Sequence, residues 1–144
     1  TNLMEMRRIL VEWMCEVHQK FKLCQETLFI AVGIMDRVMY AIDVPAEQLQ
    51  LLCSTALWVA AKYEEIYPPH LKYFAEVSDG AFTKIDVLRM EETIIKSLNF
   101  KVTFPTRSQM LLAELEVRKT PVNRLTHLAQ YLLELSLVQP WDEK

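Results

Sequence analysis

Leu51-Leu52-Cys53-Ser54-Thr55-Ala56-Leu57-Trp58-Val59-Ala60-Ala61-Lys62-Tyr63-Glu64-Glu65-Ile66-Tyr67-Pro68-Pro69 decides the fold. Its apolar part, residues 51–61, is too short for a bilayer, which takes about 20 residues. Its interior is rich in small side chains: Cys53, Ser54, Thr55, Ala56, Ala60 and Ala61. Such residues let helix axes approach closely. The pattern predicts a helix that opens after Asp43, with Pro45 in its first turn, and runs to about residue 65. Pro68-Pro69 then stops it.

Helices also fill the flanks. Residues 26–40 are apolar nearly all round, so this helix is expected to be central. Upstream, Met6, Ile9, Leu10, Trp13, Met14 and Val17 fall at i, i+3, i+4 spacings over 4–20. The break at 21–25 shows no clear cap. Downstream, a short helix over 70–77 precedes the turn Ser78-Asp79-Gly80. Thr83-Lys84-Ile85-Asp86 resembles a capping box opening a helix to about 98. Phe104-Pro105-Thr106 reads as a linker, followed by a sixth helix to about 117. Thr120-Pro121 caps a seventh, to about 137. The one strand-like stretch, 100–104, is short and ends at proline. The expected class is all-α, with five helices over 5–103 and two more over 104–144. Two helices cannot enclose a core of their own. The tail must lean on the first five or belong to a second unit that is cut short.

Composition excludes several classes. The 144 residues are 51% hydrophobic and contain two glycines, Gly33 and Gly80, which argues against glycine-rich phosphate loops and against a turn-rich β-fold. A net charge of −3 supplies no field for nucleic acid. No stretch suits a membrane span or a signal peptide. The three cysteines, Cys15, Cys24 and Cys53, form no paired spacing and suggest a reduced intracellular compartment. The chain begins at Thr1 without methionine, and an excised piece is one expectation. His18, His70 and His127 stand away from other ligand-type residues, so no metal or cofactor is expected. Glu64 and Glu65 are adjacent on a helix and point apart, a poor acid/base dyad. Arg7-Arg8 with Lys20 and Lys22 reads as a solvated face. No catalytic residue is assigned.

Polar residues in apolar patterns carry the remaining signal. Arg7 lies among Met6, Ile9, Leu10 and Trp13, and Asp36 lies inside the second helix. A buried charge needs a partner, and an Arg7–Asp36 bridge would satisfy both. Glu91 interrupts the stripe Val87, Ile94, Leu98 on the fifth helix, and Lys62 closes the long apolar run. They form an internal bridge, or Lys62 answers the dipole at the end of its helix, or both line an apolar patch that another protein covers. Met6, Leu10, Trp13 and Val17 form a stripe of helix 1, either plain core or the wall of a groove.

At these residues the chain resembles the cyclin family. Met6-Arg7-Arg8-Ile9-Leu10-Val11-Glu12-Trp13 resembles the opening of a cyclin box, Ala60 through Pro69 its middle signature, and Val87-Leu88-Arg89-Met90-Glu91 its fifth helix. The motifs cover about residues 5–103 in order, with the flavour of the A, B and E cell-cycle types and a lean toward A and B. Residues 104–139 resemble the first two helices of a second cyclin fold. The resemblance implies a five-helix cyclin box followed by a truncated second fold. It also implies a non-catalytic subunit that binds and activates a cyclin-dependent kinase in nucleus and cytoplasm. It places Lys62, Tyr63, Glu64, Glu91, Ile95 and Phe100 at the kinase interface. It makes Arg7 and Asp36 a structural bridge. It makes Met6, Ile9, Leu10, Trp13, Glu16, Leu49 and Gln50 a docking groove for Arg-x-Leu substrates or inhibitors. Arg8 stands where the family has alanine, and Glu12 where it has aspartate. A positive Arg8 beside that groove opposes a basic peptide. The N-terminal helix that packs on the kinase and any destruction motif are missing, as expected of a fragment or of a reduced form with an incomplete second lobe. A cyclin-fold adaptor that binds partners without activating a kinase stays open as the alternative.

Overall fold

The computed structural model describes residues 2–99 and 124–138. It is all-helical there, with no strand among the described residues. In chain order come α1 (Asn2–Lys20), α2 (Gln25–Ala41), a 3-10 turn (Ala46–Gln48), α3 (Leu49–Glu64), α4 (Leu71–Glu76), α5 (Lys84–Ser97) and α6 (Arg124–Val138). The predicted sixth helix, the strand-like 100–104 stretch, the Thr120-Pro121 cap and Phe100 lie outside the described residues. The predicted seventh helix is α6.

The hub is α3 rather than α2. It packs on α1, α2, α4 and α5. Residues 52–61 are buried without interruption, because their small side chains admit neighbours on every side. Its buried hydroxyls are satisfied: Ser54 donates to the Phe74 carbonyl at 2.6 Å and Thr55 to that of Leu51 at 2.8 Å. By contrast, α2 keeps a polar margin at Asp36 and Arg37, both half-buried. The start of α3 is later than its proline suggested. Pro45 caps the 3-10 turn instead of entering the α-helix.

The buried edge of α1 runs through Arg7, Leu10, Val11, Met14 and Val17. Leu10, Met14 and Val17 are buried as the sequence pattern suggested, and the face is rotated slightly toward Val11. Val11 and Met14 take the core, Met6 and Trp13 are half-buried at its margin, and Ile9 is 57% exposed. The α1–α2 turn closes with Lys22 at φ 52 and Leu23 buried. On α5 the buried row is Val87, Met90, Ile94 and Leu98, so Glu91 sits at the rim of the core and not in its stripe. The capping box is present: Thr83 Oγ1 accepts from the Asp86 N–H, and the Asp86 carboxylate accepts from the Thr83 N–H. Finally, α6 leans on α1, with Leu137 buried in the common core.

Candidate functional site

One face is built where the end of α3 meets α5. The Lys62 ammonium donates to the Glu91 carboxylate across the two helices. It also stands 3.5 Å from the ring centroid of the buried Trp58, a cation–π contact. The bridge read as one alternative in the sequence is formed, and solvent still reaches it, with the two side chains keeping 40% and 19% of their surface. On α5 the exposed Leu88 and the half-buried Ile95 lie one turn either side of Glu91, and on α3 the exposed Tyr63 follows Lys62. The chain then leaves α3 through Glu65 and presents Ile66 and Tyr67, 86% and 92% exposed. An ion pair between two helices whose ends carry exposed apolar side chains has the make-up of a docking surface. Half-buried Glu64 has its carboxyl pushed up by burial, and then by the Glu26 and Glu65 charges.

A second constellation lies on α1. Met6 and Leu49 line one open cleft of about 510 Å³ together with Leu3, Met39, Tyr40 and Val44. Leu10, Trp13, Glu16 and Gln50 do not line that cleft. Leu10 is buried, Trp13 and Gln50 are half-buried, and Glu16 is exposed. Arg8 is engaged by its own helix, with Nε 3.2 Å from a Glu12 carboxylate oxygen and both side chains about half exposed.

Arg7 and Asp36 meet in a fork. Arg7 Nε and Nη2 donate to the two Asp36 oxygens at 2.8 and 2.9 Å, with Arg7 buried. The same guanidinium donates to the Leu137 carbonyl at the end of α6, a partner the sequence did not announce. The carbonyls of a last helical turn lack intrahelical donors, but nothing local pairs residues 130 apart. Glu65 was missed as well. Its Oε1 accepts from the Cys24 N–H at 2.5 Å and the Thr27 hydroxyl at 2.9 Å, supplying the cap that α2 lacks. Burial works to raise this carboxyl. The Cys24 and Thr27 hydrogen bonds, with the His18 charge, outweigh it and hold the group below the usual carboxylate range.

The Cys15 thiol is pushed up to about 11, first by burial and then by Glu134, Glu12 and Glu16. Burial also raises Cys24 and Cys53, so none is a ready thiolate nucleophile. No group of His, Cys, Asp and Glu among the described residues could hold a metal ion. No described helix is long and apolar enough to cross a membrane.

The family model described as "Cyclin, N-terminal domain" matches residues 1–103. The chain is 40% identical over 135 residues to a G2/mitotic-specific cyclin-B of Spisula solidissima, covering 94% of this chain and 31% of that protein. It is 44% identical over 133 residues to a G2/mitotic-specific cyclin-B2 of Oryzias javanicus, covering 92% and 35%. To a cyclin-A1 of Mus musculus it is 43% identical over 134 residues, covering 93% and 32%. The chain thus spans about a third of the length of these curated relatives. A viral cyclin from herpesvirus saimiri shares the fold, with a TM-score of 0.84 at 21% identity, covering 95% of this chain and 61% of that one.

Proposed function

The chain belongs to the cyclin family, and on that premise we propose that it is a non-catalytic regulatory subunit that binds and activates a cyclin-dependent kinase in the cell cycle. The observation that carries this is the solvent-reached Lys62–Glu91 pair between α3 and α5, with exposed Leu88 one turn before Glu91 and exposed Tyr63, Ile66 and Tyr67 following Lys62 in the chain. The family resemblance gives the matching lysine and glutamate contacts to the kinase backbone. A partner that brought carbonyls and amides to this pair would satisfy it while covering the apolar rim.

Activation in this reading is a population shift. A kinase alone rarely holds its αC helix and activation loop in the active arrangement. A rigid helical surface that binds only that arrangement stabilises it. Moving the ratio from 1:99 to 99:1 takes about 5.5 kcal/mol of differential binding, within reach of an interface of standard size. The α1 face with Met6, Ile9, Leu10, Trp13, Glu16, Leu49 and Gln50 is proposed as the docking groove for Arg-x-Leu segments of substrates or inhibitors. The place of action, nucleus and cytoplasm, follows from the same reading.

The test is titration of the chain into a panel of purified cyclin-dependent kinases, reading affinity and peptide phosphorylation. Binding with activation, weakened in Lys62→Ala and Glu91→Ala while the fold persists, is the expected result. Equal binding by wild type and the double variant overturns the interface, and binding without activation returns the adaptor reading.

A further inference from the structure

Three helix ends converge on Glu65, the residue at which α3 passes into extended backbone. Its Oε1 takes the backbone N–H of Cys24 and the hydroxyl of Thr27, the N-cap and third residue of α2. His18, near the end of α1, bonds the Cys24 carbonyl at 2.9 Å. Cys24 makes no side-chain cap of its own, so a carboxylate 41 residues downstream does the work of one. Thr27 is fully buried, which fixes its hydroxyl and makes loss of its acceptor costly. The positive end of the α2 dipole favours the anion further. Immediately after this anchor come Ile66 and Tyr67, two apolar side chains held almost entirely in solvent, and then Pro68-Pro69.

We propose that Glu65 is a positioning residue for partner docking: it pins the start of the 65–70 segment to the N-terminus of α2, so that Ile66 and Tyr67 are presented in one arrangement just past the end of α3 that carries Lys62. The partner's identity rests on the kinase reading above; the tether itself does not. An exposed apolar segment without an anchor must be ordered at the moment of binding, and that ordering is subtracted from affinity. If release of the anchor leaves about one molecule in ten with the segment in place, apparent affinity falls about tenfold.

The experiment uses the full chain as wild type, Glu65→Ala, Glu65→Gln and Thr27→Val, with Lys62→Ala as a control. Backbone ¹⁵N order parameters are read at Ile66 and Tyr67, and affinity is read against the panel kinase that wild type binds most tightly. Glu65→Ala is expected to lower the order parameters from about 0.85 to below about 0.6 and to weaken binding about tenfold. Thr27→Val, which keeps the side-chain shape and carries the test if Glu65→Ala does not fold, moves both in the same direction by less. Glu65→Gln, whose amide oxygen still accepts both bonds, stays close to wild type. Lys62→Ala weakens binding and leaves the order parameters alone. Unchanged order parameters in both Glu65→Ala and Thr27→Val overturn the tether, whatever the kinase does. Lowered order parameters with undiminished affinity overturn its role in docking. If no kinase in the panel binds wild type, the kinase reading falls, and the order parameters alone then uphold or overturn the tether.

Discussion

Arg7 and Glu65 are charges whose worth is decided by what they touch. Arg7 is buried, and its planar fork serves both Asp36 oxygens and the Leu137 carbonyl. Removing Arg7 takes this donor from the half-buried Asp36 carboxylate and the Leu137 carbonyl; breaking a buried pair costs about 3–5 kcal/mol. We expect Arg7→Ala to lower the unfolding free energy in urea by that amount. Arg7→Lys should recover little, since an ammonium cannot make the bidentate contact. An unchanged midpoint for Arg7→Ala would show that the bridge is energetically idle. For Glu65 the prediction concerns pH. Its carboxyl is held below the usual range in the folded protein, so the folded state favours the charged form. The stabilisation is therefore fully present above the unfolded value of about 4.3 and is lost as pH falls through the lower folded value. Urea unfolding at a series of pH values should show the stability gap between wild type and Glu65→Gln constant from neutrality to about pH 5 and closing below about 4.3. A gap that instead widens on acidification would mean that the carboxyl is raised, not lowered.

At the scale of elements, what the sequence made legible was local chemistry. Thr83 and Asp86 cap α5 because three residues separate donor and acceptor, and Pro68-Pro69 bounds α3 because proline needs no distant partner to forbid a helix. Periodicity found α1 and α5 and most of their buried rows (Leu10, Met14 and Val17; Val87, Ile94 and Leu98) but misplaced single positions at the margins, since a 3.6-residue repeat with apolar residues on both flanks does not say how far each flank is covered. Val11 and Met90 are buried where Ile9 and Glu91 stood in the pattern. Arg7 and Asp36 were legible as a pair because each broke an apolar pattern. Glu65 and the Leu137 carbonyl were not, because their partners lie 41 and 130 residues away. The turned α1 also changes what to expect of its groove. Arg8 is paired with Glu12 on the solvent side, and an exposed i,i+4 pair of this kind is worth only about 0.3–0.5 kcal/mol. Its charge is partly cancelled before any ligand arrives. With a labelled Arg-x-Leu peptide in fluorescence anisotropy, Trp13→Ala should abolish binding, while Arg8→Ala should alter it by less than about threefold, the reach of an exposed charge at physiological salt. A gain well beyond that in Arg8→Ala would place the arginine in the groove, free of Glu12.

For the whole molecule the question is how α6 belongs to the rest. The five preceding helices share one core around α3, whereas α6 touches that core through α1. Its attachments include Leu137, buried, Leu133 and Val138, half-buried, the Leu137 carbonyl on Arg7, and Glu134 accepting from Gln25 at 2.8 Å. Its other flank, with Tyr131, Leu132 and Leu135, is exposed. A helix that packs on the bundle chiefly through α1 should open in a separate step, at lower free energy than the bundle. Leu137→Ala removes the deep side chain but keeps the carbonyl that Arg7 binds. It should cost about 2–3 kcal/mol, and that cost should fall on docking, not on the core. Native-state hydrogen exchange reads the difference directly. Amides of α6 should exchange at least about thirtyfold faster in Leu137→Ala, the factor set by 2 kcal/mol, while those in the middle of α3 keep their wild-type rates. Equal acceleration in α3 would mean that the bundle and α6 unfold as one unit, and that Arg7 joins two parts of a single cooperative core.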